Sequence, residues 1–424
     1  MRHAFWLIAL WAAAGHAQPP ARDTSLPPQE LVLRAIEATP EVHAAEAQLA
    51  RAEAEQRMRR VGSHETQLTV LPQQRQVEGG ARYREWEVAL ARGVRWPGKA
   101  RLDREIGAQG YEAARLLLED AHHAGARRLL ALWTDWQRAG VVADVQQSQV
   151  ALWQRDLAVV RRRVQLGDAA RRDLVTVEAA LAQARASALQ ALAAQMSARL
   201  ALVSEFPGLP LPQQVFLPTV PPRLGDNDWV ALVLQRSHEV GAAEAMVQQR
   251  RAEAARARAE RMPDPVVGIR VLNERGGRER ALGLTLSIPL GGSYRGAVAA
   301  AAGADALAAE ARLSMVRREA KHDVQLAVAM ARSLHGIWQQ QKVARTAAEA
   351  SASKAERAYA LGESSLTDVL AARRVVQETA LAERRASIDA VEAVARVEVD
   401  AHELWHRHEG ADDDAAPSLP SLDY

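Results

Sequence analysis

Near one end of the chain stands His402-Glu403-Leu404-Trp405-His406, an H-E-x-x-H spacing. On a helix that spacing sets His402 and His406 on one face to hold zinc, with Glu403 as general base. A peptidase of this type needs a third ligand further on, and His408 is the last histidine; Glu409 stands where the extended motif requires glycine. The residues that follow, Ala411 to Tyr424, are a short acidic tail with no room for a supporting subdomain. A zinc peptidase is therefore the remote reading. Weak surface chelation by His402, His406 and His408 is the stronger one, and the polar end of a last long helix the plainest. His122 and His123 are adjacent and point to opposite sides of a helix, so they do not chelate as a pair. Trp133 and Trp136 share a face and read as packing. No Gly-rich phosphate loop, G-x-S-x-G elbow or cysteine nucleophile is present. No catalytic residue and no cofactor are assigned.

The elements that would position these groups are long. Aromatic residues are only 4% of the 424 and cysteine is absent, while Ala and Arg recur throughout. That composition favours extended helices packed through small side chains over a thick interior. Formal charge is only +2, and the Arg-rich stretches are interrupted by acids, which argues against nucleic acid as a partner. Met1-Arg2-His3, an apolar run from Ala4 to Ala14 and small residues ending at Ala17 form a secretory leader over 1–17. No later segment is apolar enough to span a bilayer as a helix. Without cysteine there is neither a disulfide nor a site for lipid attachment.

The chain repeats itself. Pro40 to Glu55 returns as His238 to Ala254, and Leu166 to Leu174 (LGDAARRDL) returns as Leu361 to Val369 (LGESSLTDV), about 195 residues later. Residues 18–204 form the first repeat and 229–408 the second. Between them lies a linker, 205–228, whose six prolines forbid a continuous helix; 409–424 is an acidic, disordered tail. Each repeat reads as helix, β-hairpin, very long helix, tight turn, long helix. The hairpins fall at about 65–92 and 265–290, and the long helices at about 99–166, 171–203, 294–361 and 366–408. From Lys99 to Val164 no proline intervenes, which at ~1.5 Å per residue is roughly 100 Å of rod.

In the hairpins Trp86, Val88 and Leu90, and Leu282, Leu284, Leu286 and Ile288, alternate with polar or small residues. One apolar face suits the lipid side of a membrane barrel or the core side of a soluble hairpin. Four strands cannot close a barrel, so a membrane wall requires strands from several chains. A soluble periplasmic coiled-coil scaffold needs only the rods.

With the duplicated pattern, Tyr359 to Val376 (YALGESSLTDVLAARRVV) and Val164 to Leu181 (VQLGDAARRDLVTVEAAL), the chain resembles the TolC-like outer membrane efflux family over essentially its whole mature length. The resemblance implies a mainly α fold with a small β part, assembled as a homotrimer. Its twelve-stranded outer-membrane barrel, four strands per chain, continues into a periplasmic α-helical barrel. The implied partners are a periplasmic adaptor, an inner-membrane pump and outer membrane lipid, and the implied role is a passive exit duct without catalysis. Arg92 to Ala108, with Gly98-Lys99, is similar to the branch serving heavy-metal cations; Ala100 departs from its pattern. The turns at Leu166, Gly167 and Asp168 and at Leu361, Gly362, Glu363 and Ser365 are then the adaptor-docking tip. Asp173 and Asp368 cap the helices that follow or line a constriction. The second acid that the family pattern implies one turn later is here Ala371.

Overall fold

The computed structural model describes residues 26–211 and 228–406. The leader, most of the proline-rich linker, His408 and the acidic tail lie outside the described residues. The order is α1 (Gln29–Glu37), α2 (Pro40–Val61), β1 (Thr66–Gln76), β2 (Arg82–Gly93), α3 (Pro97–Gln165), α4 (Arg171–Glu205), α5 (Asp228–Arg236), α6 (His238–Ala259), β3 (Val266–Glu274), β4 (Glu279–Ser287), α7 (Ser293–Ala360) and α8 (Leu366–Asp400). The fold is mainly α with one small antiparallel sheet.

Two helices dominate, α3 with 69 residues and α7 with 68. Their length follows from runs of Ala, Arg, Leu, Glu and Gln without an internal proline, and α3 opens with Pro97 at its first helical position, where a missing N–H costs nothing. The shorter partners α4 and α8 fold back along them, α4 on α3 and α8 on α7. The seam of α4 is Val177, Leu181, Ala184, Ala188 and Ala191, all buried at spacings of three and four. Alanine there lets the helix axes approach closely.

Large side chains gather only part-way along the rods. Ile36, Leu129, Leu130, Trp133, Trp136, Phe206, Val399 and Trp405 make one cluster, and Trp229, Leu232, Val233, Val324, Val328 and Val397 a second. Arginines of α3 then tie it to α8: Arg127 to Asp400 at 2.6 Å, Arg138 to Asp389 at 2.8 Å and to Glu392. The two repeats are therefore packed against one another through α3 and α8.

The strands form one sheet in the order β1-β2-β3-β4, so the hairpins of the two repeats join through β2 and β3. Pro72 lies in β1, at an edge of this sheet, where a missing donor is tolerated.

One element differs from expectation. The last helix does not continue to 408; α8 ends at Asp400. The amide of His402 donates to the carbonyl of Val399 (3.1 Å) and that of Glu403 to Glu398 (2.9 Å), while His402 takes φ 64°. This is a Schellman closure, and it turns the H-E-x-x-H segment off the helix.

Candidate functional site

Residues directly opposite in an antiparallel sheet share a face. Leu68 pairs with Leu90, Val70 with Val88, Leu90 with Ile269, Val88 with Val271, Ile269 with Leu284, Val271 with Leu282 and Val267 with Leu286. Trp86 extends the same face opposite Pro72. The apolar side is thus continuous over all four strands and open to its surroundings: Leu284 is 87% exposed and Leu282 78%. Ile288 lies one residue beyond β4. The opposite face carries Glu85, Glu87, Arg75, Arg270 and Thr285, with Arg75 bridging Glu85 at 3.2 Å.

Where the sheet passes into the rods, charges from both repeats knot together. The ammonium of Lys99, almost fully buried, lies 2.8 Å from Asp264 and 3.0 Å from Glu260. Asp103 receives Arg95 and Arg256, each at 2.9 Å. Glu260 also accepts from Arg295 at 2.8 Å and from Arg256. Burial opposes ionisation of Glu260, but hydrogen bonds from Arg256, Lys99 and Arg295 outweigh it and hold the carboxyl down to about 2. Gly98-Lys99, read from sequence as a family marker, is here the start of α3 stapled to the second repeat.

At the far end of the rods both turns close the same way. Asp168 donates to Arg163 and Gly167 to Val164; Glu363 donates to Ala358 and Gly362 to Tyr359. Both glycines take φ 78°, the left-handed conformation that suits a residue without Cβ. Leu166 and Leu361 flank them, 66% and 68% exposed. Arg163 ties the two turns, bonding Asp168 at 3.0 Å and reaching the hydroxyl of Tyr359.

Asp368 completes a capping box. Its carboxylate accepts from the Ser365 amide (2.9 Å) and hydroxyl (2.7 Å), and its own amide donates to Ser365 Oγ (3.2 Å). Those bonds, the hydroxyl first, hold its carboxyl below the ordinary aspartate value. Asp173 occupies the matching place in α4, but Ala170 precedes it and gives no side-chain cap.

With these parts in view, comparison with solved structures is informative. A membrane protein from Pseudomonas aeruginosa superposes with a TM-score of 0.73 at 19% identity, covering 88% of this chain and 93% of that one. The outer membrane protein VceC from Vibrio cholerae gives 0.72 at 16% identity, with 88% and 95% covered. CusC, whose structures concern folding and transmembrane channel formation, gives 0.72 at 16%, with 89% and 92% covered. The chain has the TolC-like fold. No family model matches the sequence, and no curated relative does.

The histidines are where the structure departs most from the sequence reading. His123 of α3, His238 at the first position of α6, and His402 and His406 beyond α8 come together, with one ring nitrogen from each within 4.8 Å of the others. The His402 ring is near-parallel to those of His238 (4.5 Å) and His406 (4.4 Å), and His123 lies 4.2 Å from it. Nε2 of His123 and Nε2 of His238 are buried without a hydrogen-bond partner, each a cost of ~1–3 kcal/mol. Burial first, then neighbouring imidazoles and arginines, pushes the rings down, His402 to about 2, His123 to about 3 and His238 to about 4. The three are neutral at neutral pH, so each keeps one unprotonated ring nitrogen.

Glu403 cannot serve as the general base of a zincin here, because it is held by Arg236 at 2.6 Å and the segment is not helical. Of the expected chelators His402, His406 and His408, the first two meet His123 and His238 in a part-buried cluster, and His408 lies outside the described residues. Adjacent-residue geometry dismissed His123 because it asked only about His122.

Proposed function

We propose that this chain is the outer-membrane channel of a tripartite efflux system, a non-enzymatic exit duct fed by an inner-membrane pump through a periplasmic adaptor. The observation that carries the reading is the sheet. Four strands of 9 to 12 residues suit a tilted crossing of a bilayer, and one face is apolar from edge to edge. Among the described residues both sheet edges lack partners, so in lipid the wall must be completed by other copies. A homotrimer gives twelve strands and leaves no edge. The channel described for CusC and the outer-membrane channel OprN, both of the same fold, support a pore.

In that assembly Trp86, Val88, Leu90, Leu282, Leu284, Leu286 and Ile288 face lipid. The exposed tips at Leu166, Gly167 and Asp168 and at Leu361, Gly362, Glu363 and Ser365 meet the adaptor. Asp173 and Asp368, repeated in three chains, place carboxylates beside the tip, where cations would be favoured. The resemblance at Gly98-Lys99 makes heavy-metal cations the cargo class we favour over drugs.

The test is fractionation of cell envelopes, followed by native mass of the detergent-extracted protein. A trimer from the outer membrane is expected, and Leu284→Asp with Leu286→Asp should abolish its assembly there. A soluble monomer, or normal membrane assembly of the double variant, would refute the duct. Loss of the protein should sensitise cells to metal ions; sensitivity to drugs alone would remove the metal assignment and leave the channel.

A further inference from the structure

We propose that His123, His238, His402 and His406 form a closed binding site for a divalent late first-row transition metal ion, one that fastens the segment after α8 to α3 and α6. The site is distinct from the duct reading and does not depend on it. It lies ~39 Å along α3 from Pro97, taking 26 residues at ~1.5 Å each, far from both sheet and tip.

Three independent features point to a ligand. The first is donor chemistry: four imidazoles converge, a set that suits zinc, cobalt, nickel or copper and not magnesium or calcium. A tetrahedral ion with nitrogens at ~2.0–2.1 Å needs them roughly 3.4 Å apart. A spread of no more than 4.8 Å closes to that by small ring rotations. Four protein ligands leave no open position, which marks a structural ion and not a hydrolytic one.

The second feature is orphaned nitrogen. Nε2 of His123 and Nε2 of His238 are buried without hydrogen-bond partners. A metal ion would satisfy both.

The third is the backbone. The same Schellman closure occurs at Gly167, Gly362 and His402, and only the last puts a side chain on the left-handed residue, at φ 64°. Trp405, three residues on, is also left-handed, at φ 55°. A conformation that glycine would adopt freely is thus held by a histidine whose ring stacks at the centre of the cluster.

The surroundings tolerate a cation. Arg127 and Arg236 stand nearby, but Arg127 is paired with Asp400 and Arg236 with Glu403, each at 2.6 Å. Around the adjoining cavity of about 50 Å³, Asp120, Glu239, Asp323 and Asp400 outnumber Arg127 and Arg396.

The experiment is equilibrium dialysis of the full chain in detergent against zinc chloride, with cobalt(II) as a spectroscopic probe. One ion per chain is expected, cobalt giving the intense visible bands of a tetrahedral nitrogen set, and added zinc raising the unfolding temperature. His402→Gly suits the φ of that position, so it should fold at least as well without metal yet bind zinc at least about tenfold more weakly. His238→Gln, which leaves the turn untouched, should show the same loss. Less than one ion per wild-type chain would overturn the site. So would unchanged affinity in both variants, which would assign the zinc to the residues around His408.

Discussion

Replacing Gly362 by alanine isolates the price of backbone conformation at the tip. A Cβ built on Gly362 meets nothing within 4 Å, so no steric clash enters and only the φ of 78° matters. Left-handed backbone costs a residue with Cβ about 1–2 kcal/mol. Against this, alanine restricts the opened chain and returns about 0.4–1 kcal/mol. The net is a local weakening of about 1 kcal/mol, which speeds opening of the turn roughly fivefold. The assay is hydrogen exchange at the amide of Glu363, which donates to Ala358 across the turn. Gly362→Asn should fall between wild type and alanine, because asparagine tolerates this region better. Exchange in Gly362→Ala as slow as in wild type would refute the reasoning, since it would mean the turn is not held in the Schellman form.

Two further perturbations test the charge knot below the sheet and the first hydrophobic cluster. Glu260 titrates low when folded, about 2, against an ordinary value near 4.5. A depressed folded pKa contributes stability that is present above ~4.5 and lost as pH falls towards ~2. Between those limits the unfolding temperature of wild type should fall more steeply than that of Glu260→Gln; parallel curves would mean that Arg256, Lys99 and Arg295 do not hold the carboxylate. Trp405 is 4% exposed, packs in the cluster with Ile36 and Trp133, and donates its indole N–H to the carbonyl of Pro27 at 3.2 Å. Trp405→Ala should cost ~3–5 kcal/mol and release α1, read as faster hydrogen exchange over Gln29–Glu37. Unchanged protection there would show that α1 is held by other contacts.

What was legible in the sequence was local and periodic. Alternation at Leu282, Leu284 and Leu286 marked a strand with one apolar face, and spacings of three and four from Val177 to Ala188 marked a helix seam, because each pattern is written within a few residues. The tips were legible because glycine announces a left-handed turn. The end of α8 was not, because the same turn there uses His402, and H-E-x-x-H reads as helix to anyone applying the zinc motif. The histidine cluster was out of reach for a different reason. His123 and His238 lie 115 residues apart, and His402 a further 164, so their meeting depends on how α3, α6 and α8 are registered along one another. The one available signal was the repeat itself: His238 opens α6 where Pro40 opens α2, a replacement by a ligand-type residue at the start of an otherwise similar helix.

That comparison of the repeats bears on the tip as well. Duplication supplied two equal turns, and they have since been secured by different means. The second keeps a capping box through Ser365 and Asp368. In the first, Ala170 cannot cap, and Arg163 does the holding instead, bonding the side chain of Asp168 at 3.0 Å and crossing to the hydroxyl of Tyr359 in the other repeat. Both turns keep the same backbone closure, to which the second adds a cap from its own next helix and the first an arginine shared with the other repeat. A force that parts the two repeats must break the Arg163 link and leave the Ser365 cap whole.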